Sequence, residues 1–195
     1  NVALATRERV QTVIQQHNYR PSNVARSLST RRTGTLGLIV SNISNPFSSE
    51  LARGAIETAQ KTGHGLLVMG AAPDGLDLPT HVDTLVQQWV DGILITSDPL
   101  PDSRLSQLPC GDTPLVMMDY PQPPHRNVIG LINFDWEAAG YAATYHLRQL
   151  GHQRIGYIGG IAGHPSSRLR AQGYHKALTE TGVALDPMLE CAGDF

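Results

Sequence analysis

Apolar residues recur along this chain in two forms, short unbroken runs and stripes at helical spacing. The runs at 36–40 (LGLIV), 66–69 (LLVM), 93–96 (ILIT), 115–118 (LVMM), 128–132 (VIGLI) and 154–158 (RIGYI) have the length of strands and little polar alternation. That pattern predicts strands buried on both faces, as in a parallel sheet. Between them the spacing predicts helices over 46–61, 77–89, 135–150 and from about 168 to 181. The inward stripe of the first is Phe47, Leu51, Ala55, Ile56 and Ala59, and that of the second Leu78, Val82, Leu85, Val86 and Trp89. A short apolar piece at 188–191 closes the series. Strands alternating with amphipathic helices give an α/β fold, a parallel sheet flanked by helices. No internal repeat of solenoid period and no low-complexity tract interrupts it.

The first 33 residues follow different rules. A helix is predicted over 6–17, with Val10, Val13 and Ile14 on one face and Arg7, Glu8, Arg9, Gln11 and Gln15 facing out. Asn18 ends it, and Pro21 disfavours helical geometry in Arg20. Residues 23–29 form a second helix-like piece, capped by Ser22 or Asn23, with Val24 and Leu28 one turn apart. Seven residues fall below the roughly 12–15 at which an isolated helix becomes marginally stable. Such a piece either gains a partner or stays a linker.

Charge sharpens the contrast. The formal net charge is −2, from 15 Lys and Arg against 17 Asp and Glu. Arg7, Arg9, Arg20, Arg26, Arg31 and Arg32 all lie within the first 33 residues, against Glu8 alone. A basic arm on an acidic body reads either as a nucleic-acid-facing segment or as a solvated basic terminus.

Other classes lack their signatures. No run of about 20 apolar residues could span a bilayer, and no charged-then-apolar leader precedes a cleavage site. Cys110 and Cys191 stand in no metal-ligand spacing and form no disulfide framework, so reduced thiols are expected. The glycines of 156–163 (GYIGGIAG) miss the dinucleotide fingerprint, and no catalytic constellation stands out among the scattered histidines. Neither an enzyme nor a metal or cofactor is expected.

In open α/β sheets ligands bind beyond the carboxyl ends of the strands. Those exits are Ser41-Asn42, Gly70, Ser97-Asp98 and Met118-Asp119, and three of the four are polar. Asn45-Pro46-Phe47 opens the first helix of this region, Asn45 as its cap and Pro46 at its first position. Backbone donors there favour an oxygen-rich ligand, and Phe47 is either core or pocket lining.

Tyr19-Arg20-Pro21, Ala25-Arg26-Ser27-Leu28, Arg31-Arg32-Thr33, Leu36-Gly37-Leu38-Ile39-Val40 and Asn45-Pro46-Phe47 follow one another in this order. The series resembles the hinge and first core strand of the LacI family of bacterial transcription regulators. The resemblance implies a remnant of a helix-turn-helix headpiece at 1–21, with its first two helices upstream of Asn1, and a hinge at 22–33. It then implies a periplasmic-binding-protein-like core, with a first subdomain at 34–151 and the start of an incomplete second one at 152–195. On the DNA side it implies contacts from Asn23, Ala25 and Arg26, with Leu28 as an apolar wedge in the minor groove. On the effector side it implies Asn45, Phe47, Asp119 and Arg170, the last from Arg-x-x-Gly-aromatic, with Arg168 as the substitute if the register slips. The expected protein is a cytoplasmic, nucleoid-associated regulator. It would bind a palindromic operator as a homodimer and take a small-molecule effector, a sugar rather than a nucleobase, between its subdomains. The alternatives are a sugar-binding receptor of the periplasmic type, which shares the core, and a Rossmann-type oxidoreductase, opposed by the absent fingerprint. Two departures from the family pattern stand out: Val2-Ala3-Leu4 where a capping Ser is frequent, and Trp136 where Asn commonly follows Asp. The stiff Pro121-Gln122-Pro123-Pro124 loop has no assigned role.

Overall fold

The structure is a computed structural model, which describes residues 2–17, 32–72, 75–96, 102–120, 125–160 and 164–193. The hinge with Asn23, Ala25, Arg26 and Leu28 lies outside the described residues, as do Ser97-Asp98 and the loop 121–124.

Five strands form a parallel sheet in the order β2-β1-β3-β4-β5: β1 Thr35–Val40, β2 Gly65–Gly70, β3 Ile93–Thr96, β4 Leu115–Met118 and β5 Val128–Ile132. The period of two along β1 divides the core. Leu38 and Val40 pack with Ala52 of α2 (Pro46–Lys61) on one face. Ile39 joins Leu78, Val82 and Leu85 of α3 (Leu78–Gln87), with Ile95, Leu115 and Met117, on the other. The sheet is therefore covered on both sides, as its unbroken apolar runs require. Register places Val40 beside Gly70 and Thr96, and Met118 beside Ile132, so the carboxyl ends of the strands line one edge.

Several inward residues differ from expectation. In α2 the buried residues are Ser48, Ala52 and Ala59, while Phe47 and Ile56 are 47% and 38% exposed. The small residues let the helix lie close on β1 and turn the larger side chains to its rim. Trp89 is 73% exposed rather than inward. The helix ends at Gln87, and Trp89 takes left-handed backbone (φ 58°), which swings its ring off the α3 stripe. A single-turn helix, α4 (Asp102–Leu105), escapes the periodicity argument because four residues hold no repeat. The first helix, α1 (Leu4–Gln16), starts two residues early on an Ala3 that offers no side-chain cap. Its Val10, Val13 and Ile14 stripe is exposed.

Beyond β5 come α5 (Trp136–Gln149), β6 (Tyr157–Ile158), α6 (Pro165–Glu180), a 3-10 turn (Pro187–Leu189) and β7 (Glu190–Cys191). Strands β6 and β7 make a separate two-stranded parallel sheet. Helix α6 begins at Pro165, ahead of the expected 168, because the His164 ring accepts from the Ser166 N–H and Pro165 suits the first position. Sequence reading groups α5 with the first subdomain, yet α5 packs along α6. The two helices meet at glycines. A Cβ on Gly140 would lie 2.2 Å from the Arg170 carbonyl oxygen, and one on Gly173 would lie 2.0 Å from that of Glu137. Among the described residues no helix is long and apolar enough to cross a membrane.

Candidate functional site

The sheet's carboxyl edge brings one site residue from each of several elements. Asn45 caps α2, its Oδ1 accepting from the Phe47 N–H at 2.9 Å, which commits that oxygen to the helix. The cap fixes Phe47 at the first turn, where its exposed ring meets Phe134 edge-on at 6.1 Å. Asp119 ends β4 in left-handed backbone (φ 60°), and its N–H bonds the Ile132 carbonyl at 2.9 Å, pinning it to β5. From α6 comes Arg170, whose Nε and Nη2 donate to the Ser166 carbonyl and Oγ, each at 3.2 Å.

Trp136 joins them. Its Nε1–H donates to Asp119 Oδ1 at 3.0 Å, and Arg170 Cζ stands 5.0 Å over its ring, a cation–π contact. The Phe134 ring lies 5.0 Å away, and the Phe134 N–H also points at Asp119 Oδ1 (3.4 Å). Phe47, Phe134, Trp136 and Arg170 thus form a continuous aromatic and cationic wall ending on a carboxylate. Arg168 is exposed and makes no contact with it, while Arg170 is half-buried against it. Tyr157 of β6 sits close by, its hydroxyl donating to the Ser167 carbonyl. Burial pushes the Tyr157 phenol up and the nearby Arg170 charge partly offsets this.

The sequence reading missed Phe134 and Trp136 as site residues. The signal for Trp136 was present, since it departs from the family pattern beside Asp135; Phe134 gave none. Aromatic side chains with exposed edges and a carboxylate with an open oxygen suit a small ring-shaped ligand carrying polar substituents. Two open concavities lie elsewhere. One of about 560 Å³ is lined by Thr6, Arg9, Val10, Val13, Ile14 and His17 of α1 and its end, a single helix face. The other, about 450 Å³, lies over Asp135, Tyr141, Lys176 and Glu180 on the outside of the α5–α6 pair.

At the opposite, amino edge of the sheet, Asp91 holds the start of the core. Its Oδ1 accepts from the Thr33 N–H (2.9 Å) and its Oδ2 from the Gly34 N–H (2.8 Å). The Thr33 hydroxyl donates to the Trp89 carbonyl at 2.8 Å, and the Asp91 N–H bonds the Thr35 carbonyl at 2.7 Å. Four bonds therefore fix the backbone of Thr33 and Gly34 at the start of β1.

A five-stranded parallel sheet followed by a separate two-stranded parallel sheet, each with its own helices, is an arrangement of the periplasmic-binding-protein type. Residues 33–195 match the family described as periplasmic binding proteins and sugar binding domain of LacI family, and the chain belongs to it. It is similar to the HTH-type transcriptional repressor PurR of Aliivibrio salmonicida, 36% identical over all of this chain and 58% of that protein. It is 33% identical to the ribose operon repressor of Escherichia coli K12, again over 58% of that length. The structure resembles that of the Lac repressor dimer bound to operator and the anti-inducer ONPF, with TM-score 0.81 and 28% identity, covering all of this chain and 58% of the other. It also resembles the transcriptional regulator CelR–cellobiose complex, with TM-score 0.67 and 29% identity over all of this chain and 58% of that one. The chain thus spans somewhat over half the length of the relatives it matches.

Proposed function

We propose that this chain belongs to a ligand-responsive DNA-binding transcriptional regulator, a repressor that binds a palindromic operator as a homodimer. The observation that carries the reading is the meeting of Asp119, from the end of the sheet, and Arg170, from the second unit, on the Trp136 indole. A ligand that touches both elements is sensitive to how they are placed, which a ligand-driven switch requires. The effector is a small molecule, a sugar rather than a nucleobase, held by Phe47, Asp119 and Arg170 at a site opened by the Asn45-capped helix. The relatives described as repressors, and the neighbour solved with cellobiose, support this assignment. On the DNA side, Asn23, Ala25 and Arg26 contact the duplex, Leu28 wedges the minor groove, and the Asp91 clamp aims this hinge. The packing of α5 on α6 supports a division of the core near residues 133–135, with both helices in the second subdomain. A regulator of this kind works in the cytoplasm.

Salt titration of the full-length protein on a palindromic duplex selected from a random pool tests the reading. Affinity should fall steeply between about 50 and 200 mM salt, as basic residues displace counterions from phosphates. Absence of DNA binding at low salt, with ligand binding intact, would leave a receptor of the periplasmic type.

A further inference from the structure

The carboxylate of Asp119 has two oxygens, and the structure uses them unequally. Oδ1 receives the Trp136 indole N–H and the Phe134 backbone N–H, whereas Oδ2 accepts no bond among the described residues. The indole is held from three sides. Its residue starts α5, with its own N–H on the Phe134 carbonyl at 3.0 Å. Its ring packs on Phe134, and it carries the Arg170 guanidinium over its face. An indole nitrogen can only donate, so Trp136 can satisfy Asp119 but can never take a hydrogen bond from a ligand in its place.

We propose that Trp136 is a specificity-determining residue of the ligand site: it occupies Oδ1 of Asp119 and restricts the carboxylate to one acceptor, Oδ2. The inference rests on the cluster being the ligand site. Among sugars, the site then selects one that lays an apolar ring face on Phe47 and Phe134 and presents a single O–H to Oδ2. A vicinal diol, which would put one hydroxyl on each oxygen, binds only if the indole lets go. That release gives up a hydrogen bond to a charged acceptor inside a partly desolvated wall. A sugar ring is puckered and brings adjacent hydroxyls, whereas a nitrogenous base is planar and brings none, so the two probes separate the cases.

The test uses the full-length protein with D-ribose as the sugar probe and adenine as the base probe, each titrated calorimetrically. Trp136→Phe keeps the ring and removes the donor. Freed Oδ1 should tighten D-ribose binding by roughly three- to tenfold, the range expected for one hydrogen bond, with adenine titrated in parallel for comparison. A measurement on the unaltered site complements it. In the parent protein the Trp136 Nε1–H resonance is identified as the indole signal that Trp136→Phe removes. That resonance should keep its hydrogen-bonded shift when the bound probe saturates the site. If Trp136→Phe binds D-ribose no tighter than the parent does, or if the indole resonance moves to an unbonded position on saturation, the inference is overturned while the ligand site stands. If neither probe binds parent or variant, the ligand-site reading fails and the inference falls with it.

Discussion

Trp89 occupies a backbone position that glycine holds elsewhere in this molecule. Helices α2, α5 and α6 each end with paired bonds to the last turn and a glycine in left-handed backbone: Gly63, Gly151 and Gly182, at φ 75°, 89° and 73°. The end of α3 has the same bonds, Trp89 N–H to the Val86 carbonyl and Val90 N–H to the Leu85 carbonyl, with Trp89 at φ 58°. A side chain in that conformation costs about 1–2 kcal/mol, and the exposed ring recovers little by burial. Glycine gives back about 0.5–1 kcal/mol of that through its freer unfolded state. Trp89→Gly should therefore stabilise the protein by about 0.5–1 kcal/mol, seen as a higher urea midpoint at unchanged slope. A lower midpoint would mean that the indole holds contacts worth more than the strain. Strain of this kind has no signature in apolar spacing, and for that reason Trp89 reads from sequence as one more inward residue of α3.

At the scale of elements, the sheet is legible because each strand is a short apolar run with no competing reading. The ranges 93–96, 115–118 and 128–132 are observed as expected, and so is α2. The orientation of α2 is less legible. Periodicity counts Phe47 and Ile56 as core because they are large, whereas close packing selects Ser48 and Ala52, which are small. The same preference for small residues governs the α5–α6 contact, where Gly140 and Gly173 let two backbones touch and set Arg170 against Trp136. In Gly173→Ala the added methyl would also lie 2.5 Å from the Tyr141 nitrogen, so the helices must move apart. Overpacking of this kind costs about 1–3 kcal/mol, and displacing Arg170 should weaken ligand binding as well. Gln172→Ala, one residue away and exposed, should stay within about 0.5 kcal/mol of the parent. Thermal melts and ligand titration of both variants check this; equal behaviour would mean that the crossing is not tight. Of the candidate site, Asp119 stood out at a strand end and Arg170 through the family resemblance. The aromatic residues that unite them did not, because contact across elements leaves no local pattern.

Across the described residues the candidate ligand wall and the Asp91 clamp sit at opposite edges of one sheet. The ligand cluster caps the carboxyl ends of the strands and the Asp91 clamp holds their amino ends, with a six-residue β1 spanning about 20 Å between. The layout predicts a double dissociation in the full-length protein. Arg170→Ala removes a charge from the ligand wall and leaves the clamp alone. Ligand response should be lost, operator affinity without ligand should hold, and Arg168→Ala, exposed and off the wall, should change neither. Asp91→Ala does the reverse. It strips the acceptor from the Thr33 and Gly34 N–H groups, bonds to a charged partner worth about 1.5–3 kcal/mol each, so the backbone just before β1 loses its anchor. Part of that loss appears as lower stability of the core; if the clamp aims the proposed hinge, the rest appears as operator affinity reduced by about tenfold or more, since 1.4 kcal/mol is a factor of ten. Ligand affinity should stay at the parent value, because no residue of the clamp touches the wall. Operator anisotropy and ligand calorimetry on the three variants measure both quantities. If Asp91→Ala binds operator as the parent does, the clamp is a stability device only; if it also loses ligand binding, the two edges are not independent and the sheet transmits between them.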